Sequence, residues 1–339
     1  MTNLTLSVLD QSPIRKGGTA AQAIAETLEL ARLCDELGYH RYWLSEHHGT
    51  GLASASPEIL IGHIANQTKQ IRVGSGGVML THYAPLKVAE QFRMLETLHP
   101  GRIDLGIGRA PGSDTKTARA LAFGHAMTDI DRYPEMLMDL YGYMAGNLPG
   151  EHPYHGMKAQ PTGDALPEMW LLGSSRASAH YTAQLGWAFC FAHFISQEGP
   201  ETVLREYEAA FQPSPFLAEP RTAMGVSLTC AQTQEKAEYL SWSRWGSRVV
   251  SRARGQQGSG IIPPEEAMAI DFTEAELDYL GYLRQTYIHG TPGTVRARLE
   301  DLADEYGTRE LMVVTITYDF EARKQSYRLL AEEFGMTSG

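Results

Sequence analysis

Eight short apolar runs alternate with helical patterns along this chain of 339 residues, and the alternation limits the folds open to it. Continuous apolar runs of this length are typical of strands that are buried on both faces. Strands that alternate with helices favour a parallel sheet covered by helices. We predict strands at residues 4–9, 41–44, 71–80, 103–107, 169–172, 188–192, 222–229 and 311–316.

Helix start and stop residues agree with this alternation. Thr19 can cap a helix that ends before Gly38, and Thr291 can cap another that opens with a proline. A further helix is predicted near residues 129–144. The simplest α/β arrangement is a (β/α)8 TIM barrel that spans residues 1–339 as a single domain. The competing doubly wound sheet calls for a GxGxxG turn after its first strand, and no such turn occurs there.

An insertion is expected between strand seven and strand eight. Residues 231–309 are too many for one crossover connection, which places the insertion at about residues 231–290. Residues 255–260 within it are rich in Gly, Ser and Gln. This segment is either a mobile lid over the barrel or a surface loop, and its composition fits both interpretations.

Composition excludes several classes of function. The formal net charge of −11 argues against binding of nucleic acid, whose binders carry basic patches. No apolar run reaches the length of roughly 18 residues that a membrane span needs, and the first residues do not resemble a signal peptide. The 3 cysteines lie far apart and show no metal-binding spacing, which suits a reducing compartment. We therefore expect a cytoplasmic protein without membrane or nucleic-acid partners and without a structural metal.

A glycine–serine turn at Gly173, Ser174 and Ser175 separates strand five from the helix that follows it. Free backbone N–H groups, small hydroxyls and the positive end of a helix dipole can hold a phosphate there. The alternative is that Ser174 or Ser175 only caps the helix.

Arg109 follows strand four, and the serine turn follows strand five, which is the next strand in a barrel. The Arg109 guanidinium could therefore complete a phosphate clamp. The alternative for Arg109 is a salt bridge with Asp104 or Asp114.

Histidines and glycines mark the ends of strands two and three. His47 and His48 are adjacent, so their side chains point in opposite directions on extended backbone and cannot readily hold one metal together. One of them should face the barrel mouth, where an imidazole can transfer a proton. Gly76 and Gly77 inside strand three indicate either a bulge or the close approach of a flat ligand. His193, after strand six, is a weaker candidate.

Four segments in order resemble the bacterial luciferase-like flavin monooxygenases. These segments are residues 43–48, 73–78, 101–109 and 172–178, and the likeness covers nearly the whole chain. Residues 290–292 and 315–319 are similar to those of non-luminescent, single-component-type members.

The resemblance implies a monooxygenase that binds reduced FMN at the barrel mouth and receives it from a separate flavin reductase. Oxygen would then add to the flavin as a C4a-peroxide that oxygenates a small organic substrate. Alternatives are an F420-dependent hydride-transfer oxidoreductase on the same barrel, or a flavin-binding protein without turnover. A metal-dependent barrel hydrolase that uses His47 or His48 is a third alternative.

The resemblance also assigns roles to individual positions. His47 matches the active-site histidine, and Arg109 matches the arginine that holds the flavin phosphate. The positions implied to contact the cofactor are Gly76, Gly77, Arg109, Gly173, Ser174, Ser175 and Ser178. Gly76 and Gly77 match a non-prolyl cis peptide beneath the isoalloxazine ring. Light-emitting members carry a cysteine at the position of Gly108 and an acidic residue at that of Ser174, so light emission is not implied. Relatives dimerise through the helices after strands two and three, which implies a homodimer.

Overall fold

Parallel strands close into a barrel in the computed structural model, which describes residues 4–49, 51–109, 112–121, 132–196, 199–254 and 260–336. Its strands are β1 (Thr5–Asp10), β2 (Arg41–Leu44), β3 (Arg72–Ser75), β4 (Val78–Met79), β5 (Ile103–Gly108), β6 (Glu168–Gly173), β7 (Ala188–Phe191), β8 (Thr222–Cys230), β9 (Ile288–Gly290) and β10 (Glu310–Val314). Its helices are α1 (Ala20–Glu36), α2 (Pro57–Gln67), α3 (Pro85–Leu98), α4 (Thr115–Leu121), α5 (Tyr133–Ala145), α6 (Arg176–Leu185), α7 (Pro200–Ala210), α8 (Gln234–Arg254), α9 (Pro264–Met268), α10 (Glu274–Thr286), α11 (Pro292–Tyr306) and α12 (Phe320–Glu333). None of the helices in these ranges is long and apolar enough to cross a bilayer.

The sheet closes because β10 pairs in parallel with both β1 and β8. Around the barrel the order is β1, β2, β3, β5, β6, β7, β8 and β10, with each neighbour parallel. The predicted (β/α)8 barrel is confirmed. Predicted helix caps are also confirmed, since Thr19 forms a capping box on α1 and Thr291 accepts a hydrogen bond from the Thr294 amide at the start of α11.

The amino-terminal end of the barrel is sealed by a buried ionic network. The Arg41 guanidinium lies 2.8 Å from Asp104, 2.9 Å from Glu168 and 2.7 Å from Glu310. Burial alone would raise the pKa of Asp104, but the positive charges of Arg41 and Arg72 lower it below its ordinary value. We refer to this layer as the barrel floor.

Tryptophans fill the lumen above the barrel floor. Trp43 and Trp170 pack edge to face with ring centroids 5.2 Å apart, and neither ring is exposed. The Trp43 indole N–H donates to Asp104 across 2.8 Å, which ties this layer to the floor. The carboxyl ends of the strands therefore hold the open end of the barrel, which we call the mouth.

Strand three is interrupted, which corrects the prediction of one strand over residues 71–80. β3 ends at Ser75, β4 begins at Val78, and the peptide bond between Gly76 and Gly77 is cis. A Cβ on Gly76 would lie 2.6 Å from Leu9 Cδ1, and one on Gly77 would lie 2.8 Å from the Gly106 carbonyl oxygen. The glycines are therefore needed by the packing of the barrel itself.

The expected insertion lies between β8 and α11 and consists of α8, α9, α10 and β9. Residues 255–259 of the proposed lid segment lie outside the described residues. Ile261, just beyond them, exchanges backbone hydrogen bonds with the loop after β1, donating to the Ile14 carbonyl at 2.8 Å and accepting from the Lys16 amide at 2.9 Å. The Ile261 side chain is buried with Trp43 and Trp170 in the lumen cluster. The insertion thus reaches back across the mouth to the β1 side of the barrel.

Two helical details differ from the sequence prediction. The helix expected near residues 129–144 is α5, which begins at Tyr133; residues 122–131 lie outside the described residues. α4 was not predicted.

Candidate active site

The serine turn lies where the sequence places it, at the end of β6. Ser175 is the N-cap of α6, and its Oγ accepts a hydrogen bond from the Ser178 amide at 3.3 Å. The two hydroxyl oxygens of Ser175 and Ser178 lie 3.0 Å apart. A Cβ on Gly173 would fall 2.5 Å from Ser178 Oγ, so only glycine allows the turn to fold this tightly. The capping interpretation is confirmed, and the turn still groups three hydroxyls and the amino end of a ten-residue helix.

Arg109 is exposed, one residue beyond β5. The pairing of Ile107 with Leu171 brings Arg109 level with Gly173 when the register of β5 and β6 is continued. Among the described residues, neither of the two carboxylates named as its alternative partners forms a salt bridge with Arg109. Asp104 is paired with Arg41 and Arg72, and the Asp114 carboxylate accepts from the Thr117 amide at 2.8 Å.

Tyr133, the first residue of α5, adds a polar group that the sequence did not reveal. Its side chain is buried, and among the described residues its hydroxyl has no hydrogen-bond partner. Burial raises the pKa of Tyr133, while the positive charge of Arg109 acts on it in the opposite direction. An anion held by Arg109 would supply the acceptor that this hydroxyl lacks, so the residues present fit a phosphate group.

His47 lies beyond the carboxyl end of β2 as a neutral imidazole. Its Nδ1 lies 2.9 Å from Ser45 Oγ, which orients the ring and leaves Nε2 as the remaining nitrogen. Burial, the positive charge of Arg244 and the neighbouring His48 lower the pKa of His47 to about 4. A neutral, oriented imidazole can donate or accept a hydrogen bond at pH 7.

His48 is held separately, as its position next to His47 predicts. Its Nε2 lies 2.7 Å from Glu46 Oε1, and the same buried carboxylate accepts from the Met79 amide at 2.9 Å and the Tyr83 hydroxyl at 2.8 Å. The two imidazoles therefore have different partners. In the part of the chain that the structure describes, no group of three or more His, Cys, Asp or Glu side chains is arranged to hold a metal ion.

His193 does not join this group. Its ring lies 6.0 Å from that of Tyr306 on α11, on the helix side of the barrel wall. Burial and the positive charge of Arg298 lower the pKa of His193.

Arg244 on α8 also borders the mouth, and no sequence pattern predicted this position. One of its terminal nitrogens lies 3.5 Å from Gln11 Oε1, just after β1, and its charge acts on His47. Burial and the charge of Arg248 lower the pKa of Arg244 to about 9. The insertion therefore contributes a guanidinium to the side of the mouth that carries His47.

The barrel and these groups define a TIM-barrel protein whose mouth offers an anion-binding turn and a neutral, oriented histidine. The chain belongs to the luciferase-like monooxygenase family, whose sequence profile matches residues 4–309. The recognition made from the sequence is confirmed, and family membership supports an oxidoreductase.

Relatives and solved structures support this assignment along the whole chain. The luciferase-like monooxygenase of Escherichia coli strain K12 is 39% identical over 97% of each chain. The N-acetyl-S-alkylcysteine monooxygenase of Bacillus subtilis strain 168 is 36% identical, over 97% of this chain and 98% of that one. The crystal structure of apo-MsnO8 has a TM-score of 0.84 and 37% identity, and covers 98% of this chain and 99% of its own.

More distant structures share the fold. The oxygenating constituent of 3,6-diketocamphane monooxygenase from Pseudomonas putida, in complex with FMN, has a TM-score of 0.73 at 21% identity and covers 98% of this chain and 97% of its own. An F420-dependent secondary alcohol dehydrogenase in complex with an F420–acetone adduct has a TM-score of 0.68 at 14% identity and covers 97% of this chain and 99% of its own.

Proposed function

We propose that this protein is an FMN-dependent monooxygenase that uses reduced FMN and O2 to oxygenate a small organic substrate. The observation that carries the proposal is the set of potential phosphate donors at the mouth: the serine turn at the amino end of α6 and the exposed Arg109. The family assignment and the FMN-bound diketocamphane enzyme support a flavin mononucleotide as the ligand.

In this proposal Arg109 and the hydroxyls of Ser174, Ser175 and Ser178 hold the FMN phosphate, with the Tyr133 hydroxyl as an added donor. Reduced FMN supplies the electrons with which O2 is activated. His47, neutral at pH 7, holds or transfers a proton through Nε2 while Ser45 fixes its ring. Trp43, Trp170 and Ile261 limit the entry of water from below the mouth.

The test supplies reduced FMN from an unrelated flavin reductase, with 18O2 and a panel of aldehydes, ketones, aromatic compounds and thioethers. The panel includes an N-acetyl-S-alkylcysteine because a relative at 36% identity is named for that substrate class. We expect one 18O atom in a product, detected by mass spectrometry, and no product without the protein.

Other outcomes would support the alternatives. Tight binding of F420 with no binding of reduced FMN would make the protein an F420-dependent oxidoreductase, the class of one structural neighbour. Retention of FMN without any oxygen consumption that depends on substrate would make it a flavin-binding protein without turnover. A requirement for stoichiometric zinc would favour the hydrolase.

We further propose that the protein acts as a homodimer and takes reduced FMN from a separate reductase in the cytoplasm. Ile59 on α2 and Met94 and Leu98 on α3 are exposed apolar side chains on neighbouring helices, which suits a subunit interface. The three buried free cysteines suit a reducing compartment. Light scattering should give twice the chain mass, and Leu98→Glu should give the monomer; a wild-type monomer would contradict the dimer.

A further inference from the structure

A cavity of about 360 Å³ lies between the insertion and the end of the barrel, and the phosphate turn is not part of it. Arg244, Arg248 and Arg252 of α8 line one side, four residues apart and therefore on one face of the helix. Tyr279 and Leu283 of α10 and Phe194 after β7 line the other sides. The cavity thus combines a row of guanidinium groups with an aromatic and apolar wall.

The described residues place no carboxylate against the positive charge of this cavity. Within the described ranges, no ion pair joins Arg244, Arg248 or Arg252 to a carboxylate, although eleven other arginines in those ranges form such pairs. The Arg252 guanidinium instead lies 4.6 Å from the centroid of the Tyr279 ring. Burial alone would raise the pKa of Tyr279, but the charges and hydrogen bonds of Arg248 and Arg252 lower it.

The cavity also reaches the mouth of the barrel. Ser227 on β8 is part of the cavity lining. Alternate residues of a strand share a face, and the side chain of Ala223, four residues earlier, packs in the lumen. Ser227 therefore faces the lumen, at the mouth. Arg244 links the cavity to the loop after β1 and to His47. Arg244 therefore connects the cavity to the side of the mouth where the strand carrying His47 ends.

We infer that this cavity binds the anionic end of the substrate, and that the substrate class is an organic carboxylate with an apolar or aromatic body. Arginine forks match carboxylates, and Tyr279, Leu283 and Phe194 offer apolar surface to the rest of the molecule. A volume of about 360 Å³ suits a small molecule. The inference rests on the proposed function, because it names the substrate of that reaction.

Binding is tested by calorimetry on the full chain, with and without FMN, using matched acids and amides. The probes are butanoate, hexanoate, benzoate and 3-phenylpropanoate, each beside its neutral amide. We expect at least one acid to bind about ten-fold or more tightly than its amide. Arg248→Gln should weaken that acid by about ten-fold or more and leave its amide unchanged, as expected for loss of a charged hydrogen bond.

Arg205→Gln is the matched control, since Arg205 lies exposed on α7 and pairs with Glu201 outside the cavity. It should leave acid binding unchanged. The inference is overturned if no acid binds more tightly than its amide, or if Arg248→Gln and Arg205→Gln have equal effects.

A cofactor tail is the other source of an anion, and a separate arm excludes it. FMN and F420 affinities are measured in Arg248→Gln; a ten-fold loss of either, with acid binding unchanged, would assign the cavity to the cofactor and overturn the inference. Selective acid binding without any oxidation of reduced FMN would instead reject the proposed function and leave the carboxylate site in place. Turnover of neutral ketones without selective acid binding would support the proposed function and reject the carboxylate site.

Discussion

At the scale of single residues, Arg109 and His47 owe their properties to opposite surroundings. Arg109 is exposed, and the carboxylates that could have neutralised it are bound elsewhere. His47 is largely buried, oriented by Ser45, and kept neutral by burial and by Arg244. Arg109 is thus available to bind a charged ligand, and the His47 imidazole is available to bind a proton.

Arg109→Ala should weaken FMN binding by about 1.5–3 kcal/mol, the range for a hydrogen bond to a charged group. The fold should not change, because the side chain is exposed. Quenching of flavin fluorescence measures the affinity. Arg176→Ala is the matched control, since Arg176 adjoins the serine turn but its guanidinium is bound to Glu206. Equal affinities for Arg109→Ala and the wild type would remove Arg109 from the site.

His47→Gln should change both coupling and the dependence of stability on pH. The pKa of His47 is about 4 in the folded chain and 6.5 ordinarily, so between these values the unfolded chain binds a proton that the folded chain does not. Wild-type stability therefore falls as pH drops from about 6.5 towards 4, by up to about 3 kcal/mol from this residue. Urea unfolding at several pH values should show a smaller fall in His47→Gln, and product yield per oxygen should decrease. An unchanged pH slope with normal yield would contradict both roles.

At the scale of elements, the sequence predicts strands that are buried along their whole length. It does not predict elements that form only through contacts with residues far away in the chain. Strands β2, β7 and β10 are buried along their whole length, and their apolar runs showed them directly. β9 has three residues, and it exists because Ile288 and His289 pair with the end of β8. α4 carries mostly polar residues over seven positions, so it shows no apolar stripe.

The candidate site divides in the same way. His47, Arg109 and the serine turn follow predicted strands, so barrel topology alone brings them to one end. Tyr133 and Arg244 lie on helices far away in sequence, and only the tertiary structure brings them to the mouth. The break in strand three depends on contacts of Gly76 and Gly77 with β1, β2 and β5, which no local pattern records.

Gly77→Ala should destabilise the barrel, because its Cβ would lie 2.8 Å from the Gly106 oxygen and 2.9 Å from the Gly108 nitrogen. Both atoms are backbone and cannot move aside as a side chain can. We expect a loss of about 1–3 kcal/mol in the free energy of unfolding, measured with denaturant. Gly281→Ala on α10, where a new Cβ meets nothing within 4 Å, should be neutral or stabilising by up to about 1 kcal/mol. Similar effects at the two positions would show that the contacts at Gly77 are not tight.

At the scale of the whole molecule, stability and chemistry are placed at opposite ends of the barrel. The floor joins β2, β5, β6 and β10 through Arg41, while the mouth carries Arg109, His47 and the serine turn. A change in the floor should therefore alter folding and leave ligand binding by the folded protein intact.

Arg41→Met tests this separation. It leaves Asp104 and Glu310 buried without one of their counter-charges, and we expect a loss of about 3–5 kcal/mol in the free energy of unfolding. FMN affinity of the folded fraction should stay at the wild-type value. Arg309→Met, which removes an exposed pair with Asp304, should change stability by less than about 0.5 kcal/mol. A large loss of FMN affinity in folded Arg41→Met would show that the two ends are coupled.

The packing of the lumen has a consequence for the order of events. Arg41, Trp43 and Trp170 fill the described length of the barrel below the mouth. The described interior therefore has no second entrance at the amino-terminal end. Under the proposed function, nucleotide, dioxygen and organic substrate therefore all enter through the mouth, which has Ile261 on its β1 side. A bulky organic substrate that binds before the nucleotide would block the entry of the nucleotide. Excess organic substrate should therefore inhibit turnover. The kinetics should be those of ordered binding, with the nucleotide first, rather than of random binding.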